Sequence, residues 1–91
     1  MAPEVHPACA DICGVVVHAD LHRVAPLCAA LERIAGVTVH AAGSAGKIVV
    51  TIETESETRS MERIEAVRAL AGVQSVAMVY HRIETDPDQE V

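Results

Sequence analysis

Cysteine, histidine and carboxylate are the side chains here that could do chemistry, and their spacing decides which chemistry is open to them. Cys9 and Cys13 have three residues between them, and Cys28 lies further on. A soft metal or a redox couple needs thiols grouped on a loop or turn, and this spacing does not supply one. Cys13 and Cys28 read instead as small core fillers. His18, His40 and His81 could share a face and invite zinc, but they belong to separate segments with no fixed spacing and read as solvated imidazoles. Glu53, Glu55 and Glu57 read as a turn leading into a helix start, where acids favour the helix dipole. No nucleophile and base stand at a readable spacing, and no phosphate loop occurs. The expectation is a protein that is not an enzyme, with no catalytic residue, no metal site and no cofactor.

Thirteen acids against seven bases leave a net charge of −6, which argues against nucleic acid, whose phosphates need a basic face. One Tyr and no Phe or Trp leave no stacking platform for bases. Ninety-one residues make one domain, able to bury roughly 60–65% of its unfolded surface. Residues 1–7 hold two prolines and an acid, with no Lys or Arg before an apolar run, unlike a secretory signal. The longest apolar runs fall well short of a membrane span. An odd count of three cysteines suits reduced thiols. Together these features predict a cytoplasmic protein.

The element that positions the rest is the β-branched run Asp11-Ile12-Cys13-Gly14-Val15-Val16-Val17-His18, too short for a buried helix and apolar at both parities. A strand over residues 10–18 is predicted, in the middle of a sheet. Asp20 is a helix-start residue for a helix over 21–35, whose stripe is Val24, Leu27, Leu31 and Ile34. Pro26 lies inside that pattern and should loosen the first turn. Gly36 ends the helix, strands follow over 37–42 and 47–53, and Gly43 to Gly46 form the hairpin between them. Residues 54–57 offer capping groups to a helix over 57–71 with Met61, Ile64, Val67 and Leu70 as its stripe. Gly72 ends it before a last strand over 73–83. Ile34-Ala35-Gly36-Val37 and Leu70-Ala71-Gly72-Val73 repeat one helix-end, glycine, strand-start register. Residues 1–9 read as a flexible leader and 85–91 as a disordered acidic tail, around one domain over 10–84.

The order βαββαβ predicts an α+β, ferredoxin-like sandwich: a four-stranded antiparallel sheet with both helices on one face. The helices are expected over Cys13, Val15, Val17, Val37, Val39, Ile48, Val50, Ile52, Val76, Met78 and Tyr80, with Ala41 at the parity of Val37 and Val39. The opposite parity holds Ile12, Gly14, Val16 and His18; Thr38 and His40; Val49, Thr51 and Glu53; Ala77, Val79 and His81. Two helices cannot cover both faces, so this second one stays bare. An aliphatic centre with a rim of His, Thr and Glu reads as a docking surface.

Four stretches, in this order, resemble the NapD family: Ile12-Cys13-Gly14-Val15-Val16-Val17-His18-Ala19, Gly36-Val37-Thr38-Val39-His40, Gly46-Lys47-Ile48-Val49-Val50-Thr51-Ile52-Glu53 and Gly72-Val73-Gln74-Ser75-Val76-Ala77-Met78-Val79-Tyr80-His81. The resemblance covers residues 11–84. It implies a cytoplasmic chaperone of the periplasmic nitrate reductase, which binds the twin-arginine signal peptide of the catalytic subunit and delays export during cofactor insertion. The peptide would dock as a helix on the open sheet face, against Ile12, Gly14, Val16, His18, Val49, Thr51, Glu53, Ala77, Val79 and His81. Glu53 is the acid suited to an arginine, since carboxylate and guanidinium can pair through two hydrogen bonds. A monomer or weak dimer is expected. A small-ligand regulatory module of the ACT type, with the same element order, and a dimer through the bare face are the alternatives. A repeated thiol loop like that of heavy-metal-associated domains is missing, since the loop after the first strand reads His18-Ala19-Asp20-Leu21.

Overall fold

Alternation of apolar and polar residues builds strands, three- and four-residue spacing builds helices, and the chain has both in a βαββαβ order. A computed structural model describes residues 9–43 and 45–85. Strand β1 runs Cys9–Ala19, helix α1 Val24–Glu32, β2 Val37–Ala42, β3 Lys47–Thr54, helix α2 Glu57–Arg68 and β4 Val73–Thr85. The sheet order is β2-β3-β1-β4, with all neighbours antiparallel. This is the expected ferredoxin-like sandwich, with β1 and β3 at its centre. Among the described residues no helix is long and apolar enough to cross a membrane.

Helix α2 begins at Glu57 as expected, but α1 begins later than the sequence reading and both helices end earlier. Asp20 caps a 3-10 turn, Leu21–Arg23, accepting from the His22 amide at 2.9 Å, and α1 starts only at Val24. Pro26 therefore falls in the first turn of α1, where a missing amide costs no intrahelical bond. Both helices stop three residues short of the expected ends, at Glu32 and Arg68, and turns carry the chain to Gly36 and Gly72. Those glycines hold φ of +84° and +95°. Ser56 is the N-cap of α2, its Oγ accepting from the Arg59 amide at 3.1 Å. Expectations of a leader over 1–9 and a tail over 85–91 lie outside the described residues, except that Cys9 and Thr85 both belong to strands and pair with each other.

One face of the sheet is the core. Cys13, Val15, Val17, Val37, Ile48, Val50 and Ile52 pack against Leu27 and Leu31 of α1 and Ile64 and Val67 of α2. Both helices thus sit on the same side. Burying a Val, Leu or Ile here contributes about 1.5–3 kcal/mol each, so this layer supplies most of the drive to fold.

The sheet has three register shifts; one leaves Gln74 as an extra residue at the start of β4, and the other two change which face a residue of the site takes. Gly14 pairs with Tyr80 but Val15 pairs with Met78, leaving Val79 as the extra residue of β4. Val39 pairs with Val50 but Ala41 pairs with Val49, leaving His40 as the extra residue of β2. An inserted residue reverses the parity of everything beyond it. Tyr80, expected under the helices, lies on the bare face, while His81, expected on the bare face, pairs with Cys13 on the helix side. Ala41 likewise crosses to the bare face.

Candidate functional site

On the bare face the register assembles four rows of side chains. Ala41, Val49, Val16 and Ala77 form an aliphatic row across all four strands. Beside it run Thr38, Thr51, Gly14 and Tyr80, with the bulged Val79 at the junction of the two rows. Glu53, Ile12 and Arg82 form the row at one end, and Lys47, His18 and Ser75 the row at the other. None of these residues belongs to the helix-side core. Val49 is 36% exposed, Val79 58% and Tyr80 44%, a surplus of apolar surface that the chain's own helices do not cover.

Each position follows from local structure. Gly14 lacks a side chain, and the Tyr80 ring occupies the space a β-carbon would need, so the ring lies across the central strand. Arg82 stands over that ring, its Cζ 6.0 Å from the centroid, and pairs with Glu84 at 2.9 Å. Ile12 is buried although it faces away from the helices, in a row flanked by Glu53 and Arg82. The His40 imidazole and the Thr51 hydroxyl hydrogen-bond at 2.7 Å, which holds the second bulge against β3. Glu53 is exposed and, among the described residues, has no ion-pair partner. It also borders a cleft of about 450 Å³ lined by Ala10, Gly36, Val37, Thr38, Thr54 and Glu55.

Of the ten residues expected to make the docking face, nine lie on it: Ile12, Gly14, Val16, His18, Val49, Thr51, Glu53, Ala77 and Val79. His81 does not, and the bulge at Val79 is the reason. Tyr80 and Arg82 also lie on this bare face and were not expected there, because within β4 itself nothing marks where parity reverses. The expected trio His18, His40 and His81 is split between the two faces.

His81 instead joins a polar cluster on the helix side. Its Nε2 lies 2.7 Å from Asp11 Oδ2, while Ser60 of α2 donates to Asp11 Oδ1 at 2.7 Å and the Cys13 thiol reaches the same oxygen at 3.8 Å. Asp11 and Cys13 are buried. Burial pushes the Asp11 carboxyl up, but hydrogen bonds to His81 and Ser60 and the nearby imidazolium outweigh it, and the net shift is downward. The hydrogen bond to Asp11 raises His81 above the usual histidine range. Burial raises the Cys13 thiol, so it is a poor nucleophile.

The family model described as NapD protein matches residues 10–85. The chaperone NapD of Escherichia coli K12 is 29% identical over 80 residues, covering 87% of this chain and 92% of its own. That of Shigella flexneri gives the same figures, 29% identity over 87% and 92%. The solution structure of the E. coli Tat proofreading chaperone protein NapD superposes with a TM-score of 0.78 at 28% identity, over 94% of this chain and 88% of that one. These relatives are described as chaperones, which sets the chain apart from the enzymes that share its fold class. From β1 to the end of β4, the chain belongs to the NapD family of chaperones.

Proposed function

We propose that the bare face receives the twin-arginine signal peptide of a periplasmic nitrate reductase catalytic subunit. The peptide docks as a helix, in the cytoplasm, and is withheld from export while cofactors are inserted. The observation that carries this reading is the uncovered aliphatic row Ala41-Val49-Val16-Ala77, with exposed Val79 and Tyr80 beside it and, at one end of the face, Glu53, which has no ion-pair partner among the described residues. A signal peptide offers the complement: an apolar stretch next to two guanidinium groups. The description of the E. coli relative as a Tat proofreading chaperone points the same way.

Burying about 400 Å² of apolar surface contributes on the order of 10 kcal/mol before costs. Association and helix ordering take back much of that, leaving a reversible complex suited to timed release. The net charge of −6 speeds encounter with a basic segment and is screened by salt.

Titrating the labelled chain with a synthetic twin-arginine peptide tests the proposal. Amide shifts are expected over Ile12, Gly14, Val16, His18, Val49, Thr51, Ala77, Val79 and Tyr80, with Glu53 at the border and the helices silent. Shifts confined to the helices would overturn the face. Glu53→Lys should weaken the two-arginine peptide far more than a two-glutamine variant, and equal losses would remove Glu53 from the arginine contact.

A further inference from the structure

We propose that Asp11, Cys13 and His81 form a binding site for a divalent cation of the zinc class, on the sheet face opposite the docking surface. The donor set is a thiol, an imidazole and a carboxylate, the mixture that zinc and cobalt accept. Asp11 and Cys13 are two apart on β1 and so share a face, and Cys13 is directly opposite His81 in the β1–β4 ladder. Three donors therefore converge from two hydrogen-bonded strands, all within 4.8 Å of one another.

Zn–N and Zn–O bonds of about 2.1 Å and a Zn–S bond of about 2.3 Å imply donor separations of roughly 3.3–3.7 Å around a tetrahedral ion. The Cys13 sulfur is 3.8 Å from Asp11 Oδ1, close to that range. His81 Nε2 is 2.7 Å from Asp11 Oδ2, a hydrogen-bond length that must open modestly as the metal replaces the shared proton. Asp11 and a Cys13 thiolate together balance the charge of a dication in a buried setting, and Ser60 Oγ stays as an outer partner that orients Asp11 from α2.

Binding releases the Cys13 proton and any proton on His81, so affinity rises with pH. The groups facing the site are Asp11, Cys13, His81, Ser60 and the nearby carboxylate of Glu57, whose charge both Cys13 and His81 feel. The site is independent of the peptide reading, since its residues point away from the bare face.

The test is titration of the tag-free full chain with Co²⁺, followed by near-ultraviolet thiolate-to-cobalt absorption and visible ligand-field bands. Both are expected in the native chain and in Cys9→Ser/Cys28→Ser, which leaves Cys13 as the sole thiol. Cys13→Ser should abolish the thiolate band, and His81→Gln should weaken binding by at least about 10-fold, the lower end of what losing an outer partner costs. Added Zn²⁺ should bleach the cobalt spectrum. No thiolate band, a band that survives Cys13→Ser, or unchanged affinity in His81→Gln would overturn the site. Should Cys13→Ser fail to fold, as circular dichroism would show, the His81→Gln result decides alone.

Discussion

The two faces of the sheet are built from the same four strands, yet they obey different rules. On the helix side Val15, Val17, Ile48, Val50 and Ile52 are each fully enclosed, chosen for volume against Leu27, Leu31, Ile64 and Val67. On the other side the alternating residues Val16, Val49, Ala77 and Val79 have apolar character without a cover. They are framed by Glu53 and Arg82 at one end and Lys47 and His18 at the other. Packing within this chain explains the first face completely. It leaves the second face without a cover, which is the feature the proposed peptide docking accounts for.

Neighbouring residues of β3 give the largest contrast. Val50→Asp puts a carboxylate into the enclosed layer and should unfold the domain, a loss above about 4 kcal/mol. Val49→Asp, one residue away on the bare face, should change stability by less than about 1 kcal/mol and abolish peptide binding. Urea unfolding with calorimetric peptide titration reads both. Loss of fold in both variants would erase the distinction between the faces. Truncation should repeat the pattern more mildly. Leu31→Ala is expected to cost about 2–5 kcal/mol of stability. Val79→Ala should cost about 0.5 kcal/mol or less while weakening the peptide several-fold.

Gly14→Ala sharpens the comparison at a single atom. The new β-carbon would occupy the place of the Tyr80 ring, which is the end of a partly exposed side chain and can swing away. Stability should fall by no more than about 1 kcal/mol, below the usual cost of overpacking a closed core. Tyr80 is the chain's one aromatic of the Phe, Tyr and Trp group, so its fluorescence reports the displacement directly. Peptide affinity should drop with it, and an unchanged affinity would place the ring outside the docking contact.

How much of this was legible depended on whether parity stayed in phase. Along β1 and β3 it did: Ile48-Val49-Val50-Thr51-Ile52-Glu53 alternates without interruption, and the enclosed layer follows from it. A bulge, by contrast, is a property of two strands counted against each other. Within Val76-Ala77-Met78-Val79-Tyr80 every residue is apolar, so no polar marker shows where the phase slips. That slip moved Tyr80 and His81 to opposite faces from those expected, and with them the edge of the bare face and the polar cluster. Asp11 was hidden for a related reason. Nothing local marks it as buried, because its partners Ser60 and His81 lie 49 and 70 residues away in the chain.

The smallest expected effect concerns that cluster, and its sign can be worked out. His81 has its pKa raised in the fold by the Asp11 hydrogen bond, so its contribution to stability is complete below about pH 6.5 and is lost as pH climbs through the raised value. Asp11 has its pKa lowered, so its contribution is complete above about pH 4 and is lost as pH falls through the lowered value. The pair is therefore most stabilising between about pH 4 and 6.5. With chelator present to keep metal away, the urea midpoint of the native chain should decline from pH 5.5 to pH 8.5, and His81→Gln should flatten that decline. Glutamine can still hydrogen-bond Asp11 but cannot take up the proton. A decline of equal size in both proteins would assign the pH dependence to a group other than His81.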